Sequence, residues 1–343
     1  MKRALCYVYI IGLFLILSTL AVYSPPVAAA EKVISLDYSS YFPAGHRGSQ
    51  LLEQWCREVE KRTNGRVKIT FYPGGTLTPA SQTFDSVQNG IADIGHISPG
   101  YTRGRFPLSE VIELPLGPKN AYWASKMAYE YYKKFKPKEL DSVKVLYMYT
   151  HGPGILHTRK PVNKLEDLKG MKIRTQGTFQ KIIIALGGTP VAMPMTDAYD
   201  SLQKGVADGL TSPYEALDGW RLAEVTKYSI EDWGASYPGA FFEVMNKDKW
   251  NSLPPDIQKI IEQINEEWVD KAGKVYDEID TLGKQVAEKR GNKIISLSKA
   301  ENDRWAKLMQ PIFKGYVDEM KKKGLPGDQA LKFCQDYLKT HSK

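Results

Sequence analysis

"VQNGIADIGHISP", Val87 to Pro99, has a counterpart far downstream in "LQKGVADGLTSP", Leu202 to Pro213. Both carry Gln-x-Gly, then an aliphatic residue with Ala-Asp, then Ser-Pro. In each, the glycine stops a helix, the next residues enter a strand, and Ser-Pro closes it. Upstream, "VKIT" (Val67 to Thr70) echoes "MKIR" (Met171 to Arg174). A strand–helix–glycine–strand unit therefore occurs twice in 343 residues, a length that exceeds one ordinary core and suits two. Two units of like build facing each other bring their strand ends into one crevice, where open α/β sheets take ligands.

Working outward, "SQLLEQWCREVEKRTNG" predicts a helix capped by Ser49, with Leu51, Leu52, Trp55 and Val59 on one face and Asn64-Gly65 at its end. "RVKITFYPGG" and "VKVLYMYT" predict strands, and "YWASKMAYEYYKKFK" a helix between them, so strands alternate with helices as in an α/β protein. From Asp256 to Arg290 there is no proline, and Ile257, Ile260, Ile264, Trp268, Ala272, Val275, Ile279, Leu282 and Val286 recur at helical spacing. Such a helix is roughly 50 Å long and able to brace both domains. Gly273 and Gly283 are its weak points, where a kink or a split is expected.

The first 30 residues differ from the rest: a basic "MKR", an apolar run, then "SPPVAAA" ending in Ala28-Ala29-Ala30. They predict a cleaved secretory signal peptide. The competing reading is an uncleaved anchor, since an apolar run of about 20 residues is long enough to span a bilayer. Loss of Lys2 and Arg3 lowers the net charge from +8 to +6, and the lysines are scattered. No basic stripe with a nucleic-acid motif is present in the sequence, so nucleic acid is not expected as a partner. Two cysteines remain, Cys56 and Cys334; an exported protein permits a disulfide, but their pairing cannot be read. The histidines His46, His96, His151, His157 and His341 lack metal-ligand spacing, and neither a metal nor a cofactor is expected. The sequence has no GxSxG, HExxH, Walker A or GxGxxG signature, so a binding function is expected, not an enzyme. Glu231-Asp232 reads as solvated surface.

The candidate crevice lining is polar and aromatic: Tyr41, Phe42, Ser98, Tyr101, Arg174, Met195, Ser212, Tyr214, Trp233 and Tyr237. Arg174 is the sharpest candidate. Alternation in "MKIRT" sets Met171 and Ile173 on one face and Lys172 and Arg174 on the other. Either Arg174 forms a structural salt bridge with an acid such as Asp208, or its planar fork clamps a ligand carboxylate, which lysine does less well.

The chain resembles the periplasmic solute-binding proteins of tripartite ATP-independent periplasmic (TRAP) transporters. The resemblance rests on "YFPAGH", "VKITFYPGGTL", "VQNGIADIG", "ELPLG", "KPVNKLEDLKGMKIRTQG", "LGGTPVAMPMTDAYDSLQKGVADGLTSP", "EVTKY" and "NKDKWNSLPPDIQKII" taken together. It implies an α/β, two-domain periplasmic binding protein of type II-like build, with a long helix bracing both domains and a ligand crevice between them. It also implies a small organic-acid ligand with its carboxylate on Arg174, and delivery to integral-membrane TRAP subunits without an ATPase. The expected parts are a signal peptide (1–30), domain I (31–152 plus about 241–280), domain II (153–240 plus about 281–315) and a C-terminal helical segment (316–343). The protein is expected to act as a periplasmic monomer.

Three departures from the family pattern bear on the ligand. Ser212 stands in "DGLTSP" where an amide side chain is usual, and Gly154 in "HGPGIL" where sialic-acid binders carry a second arginine. "SIEDWGASYPG" offers Trp233 and Tyr237. Together with Tyr41, Ser98, Tyr101, Met195 and Tyr214, these suggest a roomier, aromatic pocket for a monocarboxylate with an apolar or aromatic body. Rival readings are a binding protein for an ABC or tricarboxylate-type transporter, a periplasmic enzyme, and a ligand-presenting sensor partner.

Overall fold

The computed structural model describes residues 33–341; the expected signal peptide lies outside them. The strands in chain order are β1 (Ile34–Ser39), β2 (Val67–Tyr72), β3 (Ile94–Ile97), β4 (Val143–Thr150), β5 (Ile155–Thr158), β6 (Lys172–Thr175), β7 (Thr189–Ala192), β8 (Gly209–Ser212), β9 (Tyr228–Glu231), β10 (Ala240–Asn246) and β11 (Lys293–Ser296). They form two sheets, ordered β2-β1-β3-β10-β4 and β11-β9-β5-β8-β6-β7.

Each sheet is built on one βαβαβ unit. In the first, the helices Arg47–Arg62 and Thr83–Gln88 link β1, β2 and β3, with β1 in the middle. In the second, the helices Phe179–Ala185 and Ala198–Gln203 link β6, β7 and β8, with β6 in the middle. The Gln-x-Gly echo is therefore real, since β3 and β8 are equivalent strands. The second echo is displaced by one strand: "MKIR" lies in β6, whose equivalent is β1, whereas "VKIT" lies in β2. Both segments are short parallel strands entered from a loop, and a four-residue pattern does not tell one such strand from its neighbour.

The next strand in each sheet is antiparallel and comes from across the molecule. β10 pairs with β3, with Phe242 opposite Ile97, and β5 pairs with β8, with Ile155 opposite Ser212. The chain crosses between the sheets after β4 and again after β9. The crossings are bonded to each other: His151 N donates to Gly239 O (3.0 Å) and Gly154 N to Tyr237 O (2.7 Å).

The long helix runs unbroken from Pro255 to Lys289, 35 residues. Gly273 and Gly283 do not kink it; they are contact points. A Cβ on Gly273 would lie 2.6 Å from Tyr122 Cα, in the helix Ala121–Phe135 beside the first sheet. A Cβ on Gly283 would lie 2.0 Å from Tyr214 O, beside the second. Side chains along the helix divide in the same way. Asn265 accepts from Trp55 and Asp277 from Ala121 N, whereas Asp280 accepts from Glu215 N and Lys284 pairs with Glu231. Beyond it, the helix Lys299–Lys322 runs through position 316, and the chain turns at Gly324 (φ 68°) into the helix Gly327–His341.

Two local expectations change, and the open question of the cysteines is answered. His46, not Ser49, caps the helix Arg47–Arg62, its Nδ1 accepting from Gly48 N, while Ser49 is buried against the core. Cys56 and Cys334 are both buried and unpaired. Asp232 is buried instead of solvated, because the crossing after β9 turns it inward to accept from Leu156 N (3.1 Å). Burial there pushes its carboxyl up to about 7.

Two tests follow from this packing. Gly283→Ala gains about 1 kcal/mol of helix propensity but drives a methyl into a backbone carbonyl, so a net loss of about 1–3 kcal/mol is expected in urea unfolding. Gly315→Ala, on an exposed helical face with nothing within 4 Å, should instead gain about 0.5–1 kcal/mol. The second test concerns Asp232. A folded-state value above the unfolded one means that the folded protein holds this proton more tightly. Stability is then lost as pH rises from about 4 through about 7. Asp232→Asn keeps the acceptor and cannot ionise. It should match wild type near pH 4 and exceed it by roughly 2–4 kcal/mol at pH 8. A pH-independent difference in melting temperature would contradict this.

Candidate functional site

The strand ends of the two sheets face a cleft between them, lined from both sides. From the first sheet's side come Tyr41, Phe42 and Tyr101; from the second, Arg174, Gln176, Phe179, Met195, Thr211, Ser212, Glu215 and Trp220. His151, Tyr237 and Phe241 enter from the crossings and the start of β10.

Arg174 sits at the end of β6 and is 2% exposed. Its Nε and Nη2 donate to Met193 O at 3.1 and 2.8 Å, and Nη2 also donates to Gln176 Oε1 at 3.1 Å. No acidic side chain pairs with it among the described residues. Asp208, the expected alternative partner, instead accepts from Lys172 N (2.9 Å) and holds the start of the strand. The guanidinium is thus solvated by a carbonyl and an amide, neither of which cancels its charge. Burial pushes the neighbouring Tyr101 phenol up, while the Arg174 charge pulls the other way. The Tyr101 hydroxyl accepts from Met195 N (3.0 Å), and Gln176 Nε2 donates to Ser98 Oγ (2.9 Å). Both bonds join the first sheet's side to the second's, next to the arginine.

The remaining wall is aromatic. Phe179 and Tyr237 stack with centroids 3.8 Å apart, Tyr41 stacks on Trp220 at 6.4 Å, and Tyr101 meets Tyr41 edge-on at 5.3 Å. Gly154 does not enlarge the cavity. A Cβ there would lie 2.3 Å from Tyr237 Cζ, so the space a larger side chain would take is filled by the Tyr237 ring.

Of the candidate residues, Tyr41, Phe42, Tyr101, Arg174, Met195, Ser212 and Tyr237 line the cleft. Ser98 stands behind it, holding Gln176. Tyr214 and Trp233 are elsewhere. The Tyr214 ring packs in the second sheet's core and its hydroxyl donates to Glu231 (3.2 Å), because the turn after Pro213 points it toward the long helix. Trp233 lies on a short turn at the surface and is 43% exposed. Sequence reasoning missed Gln176, Phe179, His151, Thr211, Glu215, Trp220 and Phe241. For Gln176 and Phe179 a signal existed, since they follow directly on the strand that delivers Arg174. For Phe241 and Trp220 there was none, because their placement depends on the crossing strands and on the turn after β8.

Residues 38–320 match the family described as bacterial extracellular solute-binding protein, family 7. The chain belongs to this family. Members serve TRAP transporters, capturing a small organic acid outside the cytoplasm and delivering it to an ion-coupled membrane transporter. Solved TRAP solute-binding proteins share the fold. One from Desulfovibrio salexigens is 36% identical, with a TM-score of 0.79 over 90% of this chain and 96% of that one. One from Rhodoferax ferrireducens, in complex with benzoate, is 31% identical, with a TM-score of 0.86 over 90% and 99%. One from an unidentified marine microbe, specific for aromatic acids and in complex with metahydroxyphenylacetate, is 30% identical, with a TM-score of 0.86 over 90% and 100%. The family 7 fold thus accounts for the two sheets, the long helix and the cleft.

Arg174→Met separates a binding charge from a structural one. It removes the cost of an unpaired buried charge and leaves the Met193 carbonyl without a donor, two opposed effects of about 1–3 kcal/mol each. The ligand-free protein should therefore stay within about 2 kcal/mol of wild type. Breaking a structural buried ion pair would cost about 3–5 kcal/mol, and calorimetric unfolding distinguishes the two.

Proposed function

We propose that this solute-binding protein captures a monocarboxylate with an aromatic or apolar body. The observation that carries the reading is Arg174: a buried guanidinium with no acidic partner among the described residues, opening on a cleft walled by aromatic rings. A carboxylate entering the cleft supplies the missing charge and accepts from Nη1, since Nε and Nη2 already donate to Met193 and Gln176. The ring then packs among Tyr41, Phe179, Trp220 and Tyr237, burying apolar area that a short dicarboxylate or a sugar acid lacks. The aromatic acids bound by the Rhodoferax ferrireducens and marine proteins support this reading.

The protein works by binding without turnover. It is exported by its N-terminal signal peptide and acts as a monomer in the periplasm, handing its ligand to TRAP membrane subunits with no ATPase involved. The two halves close on the ligand by rotation at the crossings 151–154 and 232–239, which join the sheets together with the long helix and the helix Lys299–Lys322.

Titration calorimetry against benzoate, phenylacetate, mandelate, succinate and sialic acid tests the proposal. A single-ring monoacid should bind at least about 100-fold more tightly than succinate or sialic acid. Arg174→Ala should lower that affinity about 100-fold or more, an effect of about 3 kcal/mol, and Arg174→Lys should recover only part of it. Tight binding of succinate with no aromatic acid bound overturns the reading.

A further inference from the structure

Part of the cleft wall carries polar groups other than Arg174: His151, Ser212 and Glu215. Glu215 is 4% exposed. Its Oε2 takes a hydrogen bond from His46 Nε2 at 2.8 Å. His46 Nδ1 accepts from Gly48 N, so the ring proton sits on Nε2 and the bond is a neutral donor on a carboxylate. Glu215 Oε1 makes no hydrogen bond among the described residues. His151, on the same wall, has Nδ1 2.5 Å from Gly152 O, and Gly239 N approaches the same nitrogen at 3.4 Å. Burial lowers its pKa, which favours the neutral ring. Ser212 Oγ, 1% exposed and three residues before Glu215 on the loop leaving β8, has no partner among the described residues.

The Arg174 guanidinium and the Glu215 carboxyl thus line the same cleft, among aromatic rings. A buried acceptor left unpaired by its ligand weakens binding, and a site built to hold a ligand hydroxyl discriminates strongly against the analogue lacking it.

Resting on the aromatic-monocarboxylate reading, we propose that the ligand carries a ring hydroxyl besides its carboxylate, and that Glu215 reads it by accepting its hydrogen bond. The ligand class is then a hydroxylated aromatic monocarboxylic acid, and Glu215 is a specificity-determining residue.

The test compares affinities within matched sets: benzoate, 3- and 4-hydroxybenzoate and their methyl ethers, and the same series of phenylacetates. At least one hydroxylated isomer should bind tenfold or more tightly than its unsubstituted parent, and its methyl ether, which has no proton to donate, should lose that gain. In Glu215→Gln the ratio of hydroxylated acid to ether should fall to within about threefold. The proposal is overturned if the ethers bind as well as the phenols, if no hydroxylated isomer exceeds its parent, or if Glu215→Gln keeps the full ratio. The ligand-side comparison needs no variant, so it stands even if Glu215→Gln folds poorly. Failure of every aromatic acid to bind would instead overturn the reading on which this one rests. Binding of the parents without any preference for a hydroxyl overturns this one alone.

Discussion

A guanidinium taken out of water must be solvated by something. At the end of β6 that task falls to the Met193 carbonyl and the Gln176 amide, which orient Arg174 but leave its charge uncancelled. The same groups tie the molecule together. Gln176 bonds Ser98, and Met195 bonds Tyr101, so the side chains that aim the arginine also bridge the two sheets. The orientation of Arg174 and the bonding of one half to the other therefore rest on one small set of hydrogen bonds. This is how a binding protein can couple the presence of a charge in the cleft to its shape.

The wider architecture serves the same end. Each sheet is a βαβαβ unit completed by a strand that arrives from the other half, β10 in one and β5 in the other. The crossings lie side by side under the cleft and contribute His151 and Tyr237 to its wall. The long helix supports both through glycines that let backbone approach backbone, where any side chain would intrude. Buried carboxyls concentrate here. Burial holds the Asp280 carboxyl well above the usual carboxylate range, with Glu215 N bonded to it, and Asp232 lies at the second crossing. Acids placed at such cost beside the joints tie local stability to pH.

The ligand preference depends on which rings face inward, and that is a matter of filling space. Gly154 is small because Tyr237 lies against it, and Tyr237 in turn stacks on Phe179. The space beside Gly154 is thus occupied by an aromatic face from another segment. The pocket becomes aromatic without becoming larger.

By itself the sequence determined what depends on near neighbours. Helical spacing along Pro255–Lys289, the Gln-x-Gly helix stops before β3 and β8, and an arginine one residue from a strand end followed by Gln-Gly are all local patterns. They sufficed for the two α/β units, the bracing helix and the residue most suited to an anion. Tertiary structure decided the rest. It made β1 the equivalent of β6, turned Tyr214 toward the long helix, left Trp233 at the surface and brought Glu215 to His46 across 169 positions. It also denied Arg174 an acid and gave Asp208 to a backbone amide. The physical reason is range. Periodicity and turn chemistry act over a few residues, whereas the direction of a side chain at a turn, and the partner it meets, depend on atoms that the chain brings together only once both sheets have formed.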